Sequence, residues 1–314
     1  KGNIRQNMDA VIRTENLSKY YGKLKAVNRV SINVRNGEIY GFLGLNGAGK
    51  TTTIRMLLGL IRPTSGNSYL NGRIVNPGNS DMWKDVGYLV EVPYSYPDLT
   101  VRENLEIIRR LRFIRDPDSV DKIIDSLKLG QYRDVVAKNL SLGNSQRLGI
   151  AKALIHNPAI LLLDEPANGL DPAGIVEIRE LFKDLALNHG VTIFISSHIL
   201  GEISKLATRI GIIHEGSLVQ ESSVSEMEKS RKHCLEIRTK DLNATGNMLE
   251  TSGYTVNRSE NGILEVTGKE ALSQPEAIAM MLVQSGYAPS MLKVEEENLE
   301  EFFLRMIKTK GGTE

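Results

Sequence analysis

The stretch Gly44-Leu45-Asn46-Gly47-Ala48-Gly49-Lys50-Thr51-Thr52 constrains this chain more than any other. It follows the apolar run Ile39-Tyr40-Gly41-Phe42-Leu43 and precedes Thr53-Ile54-Arg55-Met56-Leu57-Leu58. The order predicts strand, glycine-rich turn and helix. Backbone N–H groups converging at a helix N-terminus, where the macrodipole adds partial positive charge, form an anion site. Gly44, Gly47 and Gly49 let the main chain approach a phosphate closely, Lys50 can reach its outer oxygens, and Thr51 offers a hydroxyl to Mg²⁺. The spacing G-x-x-x-x-G-K-T is complete. Asn46, Gly47, Ala48, Gly49, Lys50, Thr51 and Thr52 are therefore the candidate phosphate contacts.

Upstream, Val11–Thr14, Ala26-Val27 and Val30–Val34 read as strands, with Tyr20 and Tyr21 in a short loop before Gly22. Tyr21 could stack on a base, since aromatic faces do so without base-specific hydrogen bonds; on local grounds alone an ordinary packed tyrosine is the favoured reading. Downstream, Asn71-Gly72 closes a hairpin, because both residues tolerate positive φ. The strand Val86–Val90 leads to Glu91 and an unusually apolar loop, Val92–Pro97. Thr100 and Glu103 have capping-box spacing for a helix through Leu111. A second helix is expected from Ser119 to Leu129, and Ser141 can cap a third, whose free amides are a second potential phosphate site.

Ile160-Leu161-Leu162-Leu163-Asp164-Glu165 is a continuous apolar strand ending in two acids. A strand buried on both faces of a parallel sheet delivers such residues to the sheet's C-terminal edge, where ligands bind. Asp164 is placed to hold Mg²⁺ and Glu165 to polarise an attacking water. A helix from Ala173 to about Asn188 and the strand Val191–Ile195 bring His198 to the same edge, where a neutral imidazole can hydrogen-bond a terminal phosphate or its attacking water.

Lys and Arg total 39 against 38 Asp and Glu, for a net charge of +1, so no global field favours nucleic acid or an anionic bilayer. A single cysteine, Cys234, rules out an intramolecular disulfide, and no Cys/His spacing suits zinc. No run approaches the roughly 18 apolar residues a membrane span needs, and no signal-peptide pattern is present. Action at a membrane would need another subunit to cross it. The first residues, which begin at Lys1 with Met8 shortly after, are set aside from fold reasoning.

With these residues in order, the chain from about Val11 to Glu221 resembles the nucleotide-binding subunit of ATP-binding cassette (ABC) transporters. Gly44–Thr52 is similar to Walker A, Leu140–Gln146 to the signature motif, Ile160–Glu165 to Walker B, Gly169-Leu170-Asp171 to the D-loop, and His198 to the switch histidine. Tyr21 falls at the adenine-stacking position. Glu91 stands where the family usually has Gln, a carboxylate still able to meet Mg²⁺. The signature reads L-S-L-G-N rather than L-S-G-G-Q, keeping Ser141 and Gly143. These details resemble the bacitracin-resistance and lantibiotic-immunity branch.

The resemblance implies an α/β P-loop fold of ABC type, with a mostly parallel sheet core, an antiparallel β subdomain and a helical subdomain. It also implies ATP and Mg²⁺ as cofactors. Lys50, Glu165 and His198 are the expected catalytic residues, and Thr51, Glu91 and Asp164 the expected metal set. A second subunit would place its Ser141 and Gly143 on the same ATP, and a separate membrane permease would dock near Val92–Leu99. That places the chain on the cytoplasmic face of a membrane, powering export of a hydrophobic or peptide substrate. A soluble ABC ATPase acting on ribosomes or nucleic acid is the alternative; it would usually carry a coiled-coil insertion or two cassettes, and neither is present. A nucleotide-gated module without turnover fits poorly with intact Lys50, Asp164, Glu165 and His198.

Residues 222–314 lie outside this cassette, taken as 10–221. Their strand and helix pattern, β-α-β-β-α-β and a final amphipathic helix, predicts a small ferredoxin-like α+β module. Met280, Met281, Met291 and Met306 are expected as core filler, and Glu295-Glu296-Glu297 as a solvated turn.

Overall fold

The computed structural model describes residues 10–259 and 261–310, the last three in backbone only. Two compact units emerge, the first running to Val224 and the second spanning Ser225–Arg305.

In the first unit, β1 (Ala10–Tyr21), β2 (Leu24–Val30) and β3 (Asn33–Arg35) precede β4 (Ile39–Leu43). β1 is longer than its apolar start suggested. It runs through register irregularities near Leu17 and Lys19 and pairs with β2 up to Tyr21↔Leu24. Tyr20 and Tyr21 therefore lie on a strand end instead of in a loop. The helix Lys50–Leu57 follows the glycine turn, then β5 (Ser65–Leu70) and β6 (Arg73–Ile74) form the hairpin across Asn71-Gly72. These short strands make an antiparallel sheet, β2-β1-β5-β6, with β3 also on β1.

The strand β7 (Val86–Leu89) enters the helical region. The helix Val101–Leu111 opens with a full capping box, Thr100 accepting from the Glu103 amide and Glu103 accepting from the Thr100 amide. A helix at Ser119–Ser126 ends a turn earlier than expected, and the helix Leu142–Leu154 is capped by Ser141. Next come β8 (Ile160–Asp164), the helix Pro172–His189, β9 (Thr192–Ser197), β10 (Arg209–His214) and β11 (Ser217–Ser223). Asp171 caps the helix at Pro172 and Gly190 ends it with a left-handed φ of 67°, the asymmetry that helix ends favour.

The six-stranded sheet has the order β11-β10-β4-β9-β8-β7. All neighbours are parallel except β11, which is antiparallel to β10. Every residue of β4 and β8 is buried, as strands covered on both faces must be. Because these strands run the same way, the turn after β4, Asp164 and Glu165 at the end of β8 and His198 after β9 reach one edge. β11 continues to Ser223, paired with Arg209, which carries the first unit past Glu221.

The second unit holds β12 (His233–Arg238), β13 (Thr255–Ser259), β14 (Ile263–Thr267) and β15 (Met291–Glu296) in the antiparallel order β13-β14-β12-β15. The helices Leu242–Thr251 and Pro275–Gln284 connect them as the ferredoxin-like pattern requires. Leu235, Ile237, Leu249, Leu264, Val266, Ile278 and Leu282 form its core. Three details depart from expectation. The second connecting helix is preceded by a separate short helix, Lys269–Ser273, which stops before Pro275, a residue that fits a helix only in its first turn. Met280 is exposed. Glu295 and Glu296 finish β15, and Glu297 is nearly enclosed, its carboxylate 2.7 Å from two Arg305 nitrogens and 2.9 Å from the Lys232 amide. These donors, Arg305 foremost, hold its pKa below the usual carboxylate value.

Candidate active site

The glycine turn is shaped for close approach. Gly49, with φ of 108°, lies where an added Cβ would come within 2.4 Å of the Ala26 carbonyl oxygen, so no other residue fits without moving β2. Lys50 is buried, and its ammonium donates to the carbonyls of Gly44 at 2.7 Å and Leu45 at 3.3 Å. Beside this turn opens a cleft of about 640 Å³, lined by Tyr21, Asn46, Gly47, Gly49, Lys50, Thr51, Thr52 and Glu165 among others. Tyr21 is half exposed, and the Lys19 ammonium lies 5.2 Å from its ring centroid.

Asp164 is buried at the end of β8. Its Oδ2 accepts from Thr51 Oγ1 at 2.7 Å, and its Oδ1 accepts from Ser196 Oγ at 2.5 Å. Glu165 follows with a left-handed φ of 48°. One of its carboxylate oxygens lies 3.2 Å from Lys50 Nζ, an ion contact without hydrogen-bond geometry, and the other lies 2.8 Å from His198 Nδ1. With the proton on Nδ1 the imidazole donates to the carboxylate and keeps Nε2 free to meet a second group.

The remaining expected residues are placed elsewhere. Ser141 accepts from the Asn144 amide at 3.3 Å as a helix cap, and Gly143 sits where a Cβ would come within 2.9 Å of the Gly169 carbonyl oxygen. Neither lines the cleft. Leu142, in the signature, fills the space a Gly169 side chain would need. Glu91, with φ of 60°, pairs its carboxylate with Arg55 from the helix after the glycine turn. Of the expected metal set, the geometry brings Thr51 to Asp164 and gives Glu91 an arginine partner.

Two further residues bond to the chain at Asp164, Glu165 and Pro166, the first of them the last residue of the signature stretch. Gln146 is buried and donates from Nε2 to the main-chain carbonyls of Pro166 at 3.1 Å and Glu165 at 3.4 Å. Ser196 is the other. Only its place on the strand before His198 marks it in the sequence. Cys234 is only partly exposed, and its pKa is pushed up to about 11 by burial, then by Glu265, Glu236 and Glu295, so it is a poor nucleophile.

Residues 27–168 match the family model described as ABC transporter. The chain is 42% identical to the bacitracin transport ATP-binding protein BcrA of Bacillus licheniformis, over 98% of this chain and 99% of that protein. It is 38% identical to the lantibiotic transport ATP-binding protein SrtF of Streptococcus pyogenes, over 69% of this chain and 93% of that one. Among solved structures, a dimeric bacterial ABC transporter cassette matches with a TM-score of 0.63 and 27% identity, covering 68% of this chain and 98% of that one. Sequence identity along the whole chain and the shared cassette fold agree with the site: the protein belongs to the ABC transporter family, as an ATP-binding subunit whose cassette hydrolyses ATP.

Proposed function

We propose that this chain powers an exporter of peptide antibiotics, acting as two copies docked on a separate membrane subunit. The observation that carries the reading is Glu165, set between Lys50 and His198 at the cleft that Tyr21 and the glycine turn line. The kind of cargo is supported by relatives named for bacitracin and lantibiotic transport. No described helix is long and apolar enough to cross a membrane, so the reading places the chain against the inner face through its partner, with Val92–Leu99 in the contact. Val92 and Tyr94 are largely exposed there.

The donor set fits Mg²⁺: two hard oxygens, the Thr51 hydroxyl and the Asp164 carboxylate, already lie 2.7 Å apart, and this ion takes few protein ligands when phosphates supply others. When bound, it neutralises charge on the phosphates. The turn amides and Lys50 hold the β- and γ-phosphates. Glu165 accepts a proton from water as the water oxygen bonds to the γ-phosphorus and the bond to ADP breaks. His198 orients that carboxylate. A second copy presents its own Ser141 and Gly143 to the same nucleotide, and hydrolysis releases the pair.

Isolation of the tagged chain from host membranes tests the role. A membrane-spanning protein should copurify and raise ATP turnover. Recovery with ribosomes alone would overturn the transporter reading.

A further inference from the structure

We infer that Ser196 is a positioning residue for hydrolysis: its hydroxyl sets the two acids that end β8. The proposal rests on Glu165 being the base.

Ser196 is fully buried near the end of β9 and stands level with Asp164 in the parallel register. Its Oγ carries two bonds of opposite sense. It donates to Asp164 Oδ1 at 2.5 Å and accepts from the Glu165 amide at 3.1 Å; that amide also lies 3.3 Å from the Ser196 carbonyl oxygen. A hydroxyl has one proton and two lone pairs, so both bonds coexist. The first fixes the rotation of Asp164, leaving Oδ2 toward Thr51. The second acts where it costs most to be without it, because Glu165 is a bulky residue with φ of 48°, a conformation that persists only when surrounding contacts over-determine it.

The neighbouring residue extends the same junction. The Ser197 carbonyl accepts from the Gly44 amide at 3.2 Å, and its Oγ accepts from the Ile199 amide at 3.0 Å. The end of β9 thus touches the phosphate turn, both acids and the segment carrying His198. Of these contacts only the Ser196 hydroxyl reaches both acids.

Measurements of kcat and KM for ATP on the full chain carrying Ser196→Thr, Ser196→Val or Ser196→Ala test the proposal, with nucleotide affinity measured by a fluorescent ATP analogue. Thr and Val have nearly the same shape and differ in the hydroxyl. Both put one added carbon into the same buried site, so any crowding is common to the two and cancels in their comparison. Val and Ala should lower kcat by roughly 10–100-fold, the loss expected when a reacting group is misplaced by about 1 Å, with KM little changed, while Thr should stay close to the parent. Equal kcat in the Thr and Val variants, whether both high or both low, would overturn the proposal, since the hydroxyl would then not be the working group. Glu165→Gln is measured alongside. Retained turnover in that variant removes the base assignment, an outcome read independently of the Thr and Val comparison.

Discussion

His198 Nδ1 lies 2.8 Å from a Glu165 carboxylate oxygen, and this contact joins the residue after β9 to the residue after β8. Replacing the carboxylate by an amide keeps the shape and removes the base. Glu165→Gln should still bind ATP, accumulate as an ATP-bound dimer on gel filtration, and lose about 10²–10⁴ in turnover. Near-parent turnover would remove Glu165 from its role.

Lys50 now spends its protons on the Gly44 and Leu45 carbonyls and lies beside Glu165. A phosphate would replace these neutral acceptors with charged ones, a stronger bond. Lys50→Ala should therefore weaken ATP binding itself, measurable by titration calorimetry, and unchanged affinity would count against the phosphate turn.

Arg55 and Glu91 form an ion pair whose side chains are 36% and 53% exposed, and pairs this open contribute under about 1 kcal/mol. Glu91→Gln should shift the melting midpoint by no more than about 4 °C. Its Mg²⁺ requirement for turnover should match the parent's, because Asp164 and Thr51 already supply the one or two ligands such sites use. A clear rise in that requirement would return Glu91 to the metal set.

His156 lies with Nε2 3.1 Å from the Val86 carbonyl oxygen, while its buried Nδ1 has no partner. Burial, then the nearby Arg112 cation, push its pKa from 6.5 down to about 4, opposed by the bond to the Val86 carbonyl and then by Asp85. The unfolded chain thus takes up this proton at higher pH than the folded one does. Stability from the neutral imidazole is complete above pH 6.5 and is lost as pH falls toward 4. His156→Gln should flatten the drop in melting temperature between pH 7 and pH 5; an undiminished drop would assign it to other groups.

The phosphate turn and the acids of β8 were legible because each is written in consecutive residues whose flanks declare the element. The contacts of Ser196 and of Gln146, which closes the signature stretch, were not, since they depend on a register between strands and on the reach of a side chain across a helix start, neither of which leaves a spacing in the chain. Arg55 facing Glu91 was hidden for the same reason. The strand limits of β1 were missed because its register irregularities break the alternation that would have announced it. In the second unit the strand order followed from the pattern, whereas Glu297 looked like part of a charge run because its partner, Arg305, is eight residues away on the last helix.

Gln146 has one further consequence. The helix that Ser141 caps is pinned, within its second turn, to the main-chain carbonyls of Glu165 and Pro166. In a two-fold pair each copy lends what it also needs to receive. In the proposed two-copy arrangement, a tilt of that helix in one copy would disturb the site it lends and its own together, tying the two nucleotides to one another.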